Sequence, residues 1–243
     1  MQQKVILMLP AYNEELELPF LLRKIEEVNN VFEMNIHTVV VNDGSTDNTV
    51  KVAESFGVEV IDIKKNGGLA NAMRVGLTTL VERCSENDII VTMDADDSHP
   101  PGLINRMLTQ IREGSDLVIA SRYRDGSRVV GLSGFRIFLT SGARMIYTLL
   151  HPMKGVRDYT CGFRAYRVSL LKKMFDYYGD KLIEQQGFAC MAEILLKTKR
   201  FNPVIHELPF ILRYDQKQGA SKMNVFKTVK ESLGLVLSVK KSM

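Results

Sequence analysis

The sequence predicts an α/β fold, with a mostly parallel central sheet and helices on both of its faces. Short apolar runs alternate with helical patterns through the first half of the chain, an order that joins parallel strands by right-handed crossovers. The chain has 243 residues, which is enough for one large domain but too few for two domains of ordinary size. We therefore expect a single domain over residues 1–215, followed by a basic segment at 216–243.

Hydrophobic periodicity assigns the elements of the first half in order. Short apolar runs predict five strands, at residues 5–9, 37–41, 58–63, 89–93 and 117–120. Apolar residues at helical spacing predict the four helices between them, at residues 16–28, 47–56, 70–81 and 101–112. Ser45, Thr46 and Asp47 are good N-cap residues, so we expect them to open the second of these helices.

The second half is less regular than the first. A helix is predicted within residues 131–150, behind a basic loop at 121–128. The polar stretch 157–164 precedes another helix or strand. Residues 187–197 have a helical pattern and residues 204–212 a strand-like one.

Composition and cysteine usage exclude several classes of protein. The chain is 45% hydrophobic and 25% charged, as an ordinary globular protein is. Its three cysteines are odd in number and lack CxxC spacing, which argues against a disulfide framework and for a reducing compartment. No signal peptide precedes the first strand, and no apolar run reaches the roughly 20 residues that span a bilayer. We expect a cytoplasmic or peripheral protein.

The basic segment 216–243 holds six lysines and one acid, although the whole chain carries a net charge of only +4. Its apolar residues recur at roughly helical spacing. Two interpretations remain open: a basic amphipathic helix lying on an anionic membrane surface, or a terminal helix packing its apolar stripe on the domain. Aromatic and basic residues do not interleave here, so nucleic-acid binding is not expected.

Three carboxylates stand at the end of the fourth predicted strand, at Asp94, Asp96 and Asp97. Ligands of α/β sheets bind at the carboxyl ends of strands. Neighbouring carboxylates repel each other and stay ionised most easily when they share a cation, and Mg²⁺ or Mn²⁺ accepts one or two carboxylates plus substrate phosphates. The alternative is a solvated turn. His99 follows closely and could support the site.

Polar loops also follow the first three strands, at residues 10–14, 42–47 and 64–69. Gly67 and Gly68 precede a helix and could bring backbone close to a phosphate, although turns need such residues in any case. Together with the carboxylates, these loops could bind the parts of a nucleotide ligand in order: a base, a ribose, a diphosphate and a metal ion. The GxGxxG, P-loop and GxSxG motifs are absent.

Five motifs together resemble the family 2 glycosyltransferases of the GT-A fold, a Rossmann-like fold of nucleotide-diphospho-sugar transferases. They are Pro-Ala-Tyr-Asn-Glu at 10–14, Asn-Asp-Gly-Ser-Thr-Asp at 42–47, Asn-Gly-Gly at 66–68, Asp-Ala-Asp at 94–96 and Cys-Gly-Phe-Arg at 161–164. The sequence looks most similar to the branch of dolichyl-phosphate mannose synthases and polyprenyl-phosphate glycosyltransferases. The resemblance extends from residue 5 to about residue 223.

This resemblance implies an inverting, metal-dependent transfer of a sugar from a GDP- or UDP-linked donor to a polyprenyl or dolichyl phosphate. Residues 1–120 would form the nucleotide-sugar half and residues 121–215 the acceptor-side half. By analogy with the family, the donor would be bound by Pro10, Tyr12, Glu14, Asp43, Gly68 and Asp94. Asp94 and Asp96 would hold Mg²⁺ or Mn²⁺.

On the acceptor side, the resemblance assigns the phosphate to four basic residues: Arg122, Arg136, Arg164 and Lys222. Ordinary surface ion pairing is the alternative for the arginines. If the acceptor is instead a saccharide or small-molecule hydroxyl, a base is needed, and Asp158 is the candidate. A non-catalytic nucleotide-sugar-binding subunit is a further alternative, against which the intact Asp94 and Asp96 pair argues.

One departure from this branch lies next to the carboxylates. Its members often have Gln two residues after the second acid of the Asp-x-Asp motif, where it adds a metal ligand. This chain has Ser98 there. Asp97 lies between and could compensate.

Overall fold

Strands and helices alternate through the first half of the chain, as predicted. The structure, a computed structural model, describes residues 3–131, 142 and 144–216. The elements up to residue 121 are β1 Val5–Ala11, α1 Leu18–Phe32, β2 Ile36–Asp43, α2 Thr49–Ser55, β3 Glu59–Ile63, α3 Leu69–Arg83, β4 Ile89–Thr92, α4 Leu103–Arg112 and β5 Leu117–Ser121. Each agrees in type with the sequence prediction, and the ends differ by a few residues.

The second half contains more strands than its sequence pattern indicated. Its elements are β6 Arg128–Val130, β7 Arg164–Arg167, α5 Val168–Tyr178, α6 Ala189–Thr198, β8 Ile205–Pro209 and β9 Ile211–Arg213, with 3₁₀ turns at Gly179–Leu182, Lys199–Phe201 and Tyr214–Gln216. Residues 144–150 are helical. The predicted strand over 204–212 is two strands, because β8 pairs with β5 and β9 pairs with β6 in a separate two-stranded sheet.

The main sheet has the strand order β3-β2-β1-β4-β7-β5-β8. Neighbours β3, β2, β1 and β4 are parallel, and so are β5 and β8. Strand β7 is antiparallel to both β4 and β5 and separates them. The prediction of a mostly parallel sheet is therefore confirmed, but the fifth strand does not lie beside the fourth.

The central strands of the sheet are buried, whereas β3 and β8 at its edges are partly exposed. Every residue of β4 and β5 is buried, which explains why these strands are continuous apolar runs instead of alternating patterns. Helix α3 lies so close to β1 and β2 that a Cβ on Gly76 would come within 2.6 Å of the Met8 sulfur. A larger residue there would force the side chains of Met8 and Val41, or the helix itself, to shift.

No helix within the described residues is long and apolar enough to cross a membrane. The predictions for Arg136, Lys222 and the basic segment from residue 217 onward concern residues outside the described ranges.

Candidate active site

The loops after β1, β2, β3 and β4 lie along one edge of the sheet, because these four strands are parallel neighbours. The chain runs outward from β1 to β3 and then returns to β4, on the other side of β1. Such a reversal of strand order leaves a crevice between the loops after the central strands, and ligands of open α/β sheets bind there. The predicted grouping of the first four motifs thus follows from the observed topology.

The loop after β1 is held by side chains of the loop after β2. Three successive amides, at residues 13–15, donate hydrogen bonds to Ser45 Oγ at 2.9 Å, Thr49 Oγ1 at 2.8 Å and Asp47 Oδ2 at 3.1 Å. Asp47 also accepts the N–H of Thr49 through Oδ1. The N-cap of α2 is Asn48, without a side-chain capping bond, so the prediction that residues 45–47 cap this helix is wrong, and Asp47 acts from just outside it. We call these three side chains and the amides they bind the loop latch.

The loop latch fixes the backbone from which the predicted donor-binding residues project. Pro10 is half-buried at the end of β1, Tyr12 is 37% exposed, and Glu14 is buried. The exposed ring of Tyr12 therefore lies at the rim of the crevice. Because protein side chains accept all three of these amides, this part of the crevice is held by the fold itself and is preorganised.

Asp43 binds the Gly-Gly turn that precedes α3. Its carboxylate is buried and accepts the N–H of Gly68 at 2.6 Å, the N–H of Gly67 at 3.1 Å and the side-chain amide of Asn71 at 3.2 Å. The two glycine amides thus have an acceptor within the protein and do not form an open phosphate cradle. The donor-binding roles of Asp43 and Gly68 stay predictions.

Asp94 and Asp96 follow β4 and are both partly exposed, so their carboxylates can meet a ligand in the crevice. Gly162, from the Cys-Gly-Phe-Arg motif, packs against the first of them. A Cβ at Gly162 would stand 3.0 Å from Asp94 Oδ1, so any side chain there would push on the carboxylate. The motif is therefore part of the same site, although it lies far along the chain.

His99 is buried behind the carboxylates. Its Nδ1 accepts the backbone N–H of Asp94 at 3.4 Å, and its ring packs 5.3 Å from the ring of Phe163 and 5.5 Å from that of Phe210. The predicted supporting role of His99 agrees with this position.

Asp97 is buried and is held by a helix of the domain. It has a left-handed φ of 57° and forms an ion pair with Lys24 of α1, with 2.6 Å between Oδ2 and Nζ. Burial raises the pKa of Asp97, although Lys24 acts in the opposite direction. The Asp97 carboxylate is therefore less accessible to a cation than those of Asp94 and Asp96, and compensation by Asp97 stays a prediction.

The donor set of the crevice fits a hard divalent cation held jointly by protein and substrate. In the described part of the chain, no group of three or more His, Cys, Asp or Glu side chains could hold a metal ion by itself. Mg²⁺ is commonly bound by one or two carboxylates together with substrate phosphates. Asp94 and Asp96 match that mode, since both are partly exposed at the same strand end.

Tyr214 is a site residue that no sequence motif indicated. Burial raises its pKa, the charges of Asp94 and Asp96 raise it further, and Arg122 acts in the opposite direction. Tyr214 is therefore close enough to Asp94, Asp96 and Arg122 for their charges to act on its hydroxyl. Tyr214 reaches this place because it directly follows β9.

Arg122 and Asp158 form a buried ion pair beside this point. Arg122 Nη2 lies 2.6 Å from Asp158 Oδ1 and Arg122 Nε lies 2.8 Å from Oδ2, while Nη2 also donates to Thr160. Burial alone would raise the pKa of Asp158, but the charge and hydrogen bonds of Arg122 outweigh it and hold the pKa below its ordinary value. A fully buried, ion-paired carboxylate is a poor proton acceptor, so the assignment of Asp158 as a catalytic base does not fit this geometry.

Residues 6–175 match the sequence model of glycosyl transferase family 2. The chain belongs to this family. Its fold is accordingly the GT-A fold, and it is a glycosyltransferase.

Curated relatives of this glycosyltransferase match most of its length. A dolichol-phosphate mannosyltransferase of Pyrococcus furiosus is 32% identical over 90% of the chain, which spans 59% of that protein. An undecaprenyl-phosphate mannosyltransferase of Micrococcus luteus is 31% identical over 91% of the chain and 88% of its own length. A polyprenol monophosphomannose synthase of Mycolicibacterium smegmatis is 28% identical, with 91% and 82% covered.

Solved structures agree in fold at lower sequence identity. Glucosyl-3-phosphoglycerate synthase from Mycobacterium tuberculosis in complex with UDP is 19% identical and superposes with a TM-score of 0.69, covering 97% of this chain and 79% of that one. The same enzyme in complex with Mn²⁺, UDP and glucosyl-3-phosphoglycerate gives a TM-score of 0.66 at 18% identity, with 95% and 76% covered. At these identities the likeness concerns the fold.

Arg164 of the transferase is a structural residue, which corrects its prediction as an acceptor ligand. It is fully buried, and its guanidinium donates to the carbonyl of Met191 at 2.7 Å and to that of Tyr159 at 2.8 Å. It joins β7 to α6 and to the polar loop before β7, and it cannot reach a phosphate. Surface ion pairing does not describe it either.

Glu207 on β8 is a second residue that no motif indicated. It accepts the N–H groups of Arg157 and Asp158, both at 2.7 Å, and pairs with Arg124 at 2.8 Å. It thus fixes the loop that carries Asp158. A lone Glu in a short strand gives no sequence signal for this role.

Proposed function

We propose that this glycosyltransferase moves a sugar from a GDP- or UDP-linked donor to a polyprenyl or dolichyl phosphate, with inversion at the anomeric carbon and with Mg²⁺ or Mn²⁺. One observation carries the proposal: Asp94 and Asp96 are partly exposed at the end of β4, and Gly162, which packs against Asp94, directly follows Cys161, whose N–H binds Asp158, the partner of Arg122. The names of the relatives from Pyrococcus, Micrococcus and Mycolicibacterium support a polyprenyl phosphate as acceptor.

The donor would lie across the loops of the crevice. Tyr12 at its rim, with Pro10 and Glu14 behind it, would hold the nucleoside, and Asp94 and Asp96 would hold the cation. When bound, the cation would neutralise negative charge that grows on the leaving diphosphate. Electrostatic stabilisation of this kind is worth about 3 kcal/mol or more in a preorganised site.

Arg122 would position the acceptor phosphate. Its Nε and Nη2 are used by Asp158 and Thr160, so Nη1 is the nitrogen through which it would meet a phosphate oxygen. The pair with Asp158 fixes the guanidinium plane, and a fixed guanidinium suits phosphate geometry. The proposed role of Asp158 is therefore to hold Arg122. Arg136 and Lys222 stay proposed as further contacts to the acceptor.

The buried Asp158 favours a phosphate acceptor over a saccharide hydroxyl. A hydroxyl needs a base to remove its proton, and Asp158 was the candidate for that role. A lipid phosphate is already anionic near neutral pH, with a second pKa of about 6 for a phosphate monoester. Its oxygen can attack the anomeric carbon in line with the leaving diphosphate, and this direction of attack inverts the configuration.

We also propose that the enzyme works at the cytoplasmic face of a membrane, as a peripheral protein. Residues 216–243 carry six lysines and one acid, and each basic residue near an anionic lipid surface contributes about 1 kcal/mol. A polyprenyl chain must remain in the bilayer while its phosphate is glycosylated.

The test incubates purified protein with Mn²⁺ or Mg²⁺, a panel of GDP- and UDP-sugars, and undecaprenyl or dolichyl phosphate in neutral or anionic vesicles. We expect metal-dependent formation of a lipid-linked sugar and release of the nucleotide diphosphate, faster on anionic vesicles. Asp96→Ala should lower the rate about a hundredfold or more, as the loss of a key electrostatic group does. Asp116→Ala, at the opposite edge of the sheet, is the control and should keep its rate.

Transfer to saccharides alone would overturn the proposed acceptor. Tight nucleotide binding without turnover of any pair would overturn the proposed catalysis.

A further inference from the structure

Ser98 occupies a buried position directly behind the Asp94 and Asp96 pair. It is 2% exposed. Its Oγ donates a hydrogen bond of 2.5 Å to Asp96 Oδ1, and its backbone N–H donates to the same oxygen at 3.2 Å. The left-handed φ of Asp97 turns the chain so that Ser98 faces back to Asp96. One carboxylate oxygen is thus held by two donors from a single residue.

The backbone of Ser98 is fixed from another part of the fold. Its carbonyl accepts the N–H of Arg213, the last residue of β9, at 3.0 Å. The preceding residue, Asp97, is held by Lys24 of α1. Because β9 leads directly into Tyr214, the same contact relates the carboxylate loop to the acceptor side of the crevice. The loop at Asp97 and Ser98 therefore cannot shift without disturbing contacts to β9 and to α1.

Hydrogen bonds of this kind set the orientation of a ligating carboxylate. Partners of metal ligands typically change metal affinity about 10–100-fold when they are removed. A hydroxyl bonded to a carboxylate at 2.5 Å lies in the range of short, charge-assisted hydrogen bonds. Ser98 is buried and its hydroxyl donates its hydrogen bond to Asp96. Any effect of Ser98 on a bound cation is therefore exerted through the Asp96 carboxylate.

We propose that Ser98 is a positioning residue for Asp96, fixing the plane of its carboxylate for a divalent cation and the donor diphosphate. The inference rests on the proposed function, because that function supplies the cation and the diphosphate. The inference gives Ser98 a specific role, at the position where the sequence differs from the polyprenyl-phosphate glycosyltransferases that it resembles.

The test measures binding to the full chain by calorimetry, with UDP and with GDP, in Mn²⁺ and in EDTA. We expect Ser98→Ala to weaken the affinity measured in Mn²⁺ about tenfold and to leave the affinity in EDTA unchanged. Ser98→Thr keeps the hydroxyl and should restore most of the loss. A merely structural defect would lower both affinities and would not depend on the metal.

Ser115→Ala is the matched control. Ser115 is equally buried and also loses a side-chain hydrogen bond, to His206 at 3.2 Å, but it precedes β5 at the opposite edge of the sheet. Its affinity for nucleotide in Mn²⁺ should equal that of the wild type.

Suppose that the wild type binds nucleotide more tightly in Mn²⁺ than in EDTA, but that Ser98→Ala has the same nucleotide affinity as the wild type in Mn²⁺. That result would overturn this inference and leave the proposed function intact. A wild type whose nucleotide affinity does not respond to Mn²⁺ would overturn both. Glycosyl transfer failing in every assay, with the Ser98→Ala loss still present, would overturn the proposed function alone.

Discussion

At the residue scale, the ion pair between Arg122 and Asp158 combines two tasks. Asp158 has no exposed surface, and the Arg122 side chain is 15% exposed. Asp158 also accepts the backbone N–H groups of Arg122 and Cys161, at 3.0 and 3.1 Å. The pair therefore stabilises the loop after β5 and fixes the plane of the Arg122 guanidinium. Removal of one partner leaves a buried charge uncompensated, which is costly.

We predict that Asp158→Asn lowers the free energy of unfolding by about 3–5 kcal/mol near neutral pH, because Arg122 keeps its charge and loses its counter-ion. The pKa of Asp158 is below its ordinary value in the folded protein, so its contribution is fully present above a pH of about 4. It is lost as the pH falls further, through the folded pKa. Urea unfolding of both proteins between neutral and acidic pH measures the difference.

Asp62→Asn is the control for this experiment. Asp62 pairs with Lys64, whose side chain is 87% exposed, and exposed pairs contribute about 0–1 kcal/mol. The difference in the free energy of unfolding between wild type and Asp158→Asn should shrink as the pH falls below about 4. A difference that stays constant would contradict the view that Asp158 stabilises the fold through its ion pair with Arg122.

At the element scale, the loop latch joins the loop after β1 to the loop after β2. Thr49 is fully buried, accepts the N–H of Glu14 and donates to Asp47 Oδ1 at 2.5 Å. It is at once the first residue of α2 and the support of the loop after β1. The Asn-Asp-Gly-Ser-Thr-Asp motif therefore acts through its contacts to the preceding loop and to the Gly-Gly turn, more than by presenting its own side chains.

We predict that Thr49→Val weakens nucleotide affinity several-fold and lowers the free energy of unfolding by about 1–3 kcal/mol. The substitution keeps the shape of the side chain but leaves the buried Glu14 amide without an acceptor. Thr198→Val is the matched control, because Thr198 is also fully buried and bonds the Leu195 carbonyl on α6, away from the crevice. Isothermal calorimetry with UDP and GDP, with chemical unfolding alongside, compares the two variants.

Equal nucleotide affinities in these two variants would contradict the latch as a support of the donor site. Loss of stability alone would be expected from any buried hydroxyl.

At the scale of the whole molecule, the two halves of the chain are interleaved. Strand β7, from the second half, lies between β4 and β5 of the first half and pairs with both. Strand β8 then covers the other side of β5. Residues 1–120 and 121–215 therefore share one sheet and one hydrophobic core.

We predict that the full chain unfolds in a single calorimetric transition, with equal calorimetric and van't Hoff enthalpies. A fragment of residues 1–121 should fail to fold, because β4 and β5 would lack the strand that joins them. Circular dichroism during heating of this fragment is the companion measurement. Two separate transitions in the full chain, or a cooperative transition in the fragment, would show that the first half is a domain of its own.

The sequence by itself determined the alternation of strands and helices up to residue 121, the family, and the sheet edge at which Asp94 and Asp96 meet the other loops. Hydrophobic periodicity and turn residues are local properties, so they can be read along the chain. They fail where short strands carry little pattern, as in β6, β7 and β9. The split of residues 204–212 depends on which partner each strand finds.

The tertiary structure alone decided which polar side chains face a ligand and which face one another. Asp158 and Arg122 are 36 residues apart in the chain, and Asp43 meets Gly68 across 25 residues. Arg164 has the charge of an acceptor ligand but is buried, and Tyr214 has no motif but lies beside the carboxylates. Burial and pairing are set by long-range packing, so residue type alone cannot distinguish a ligand from a support.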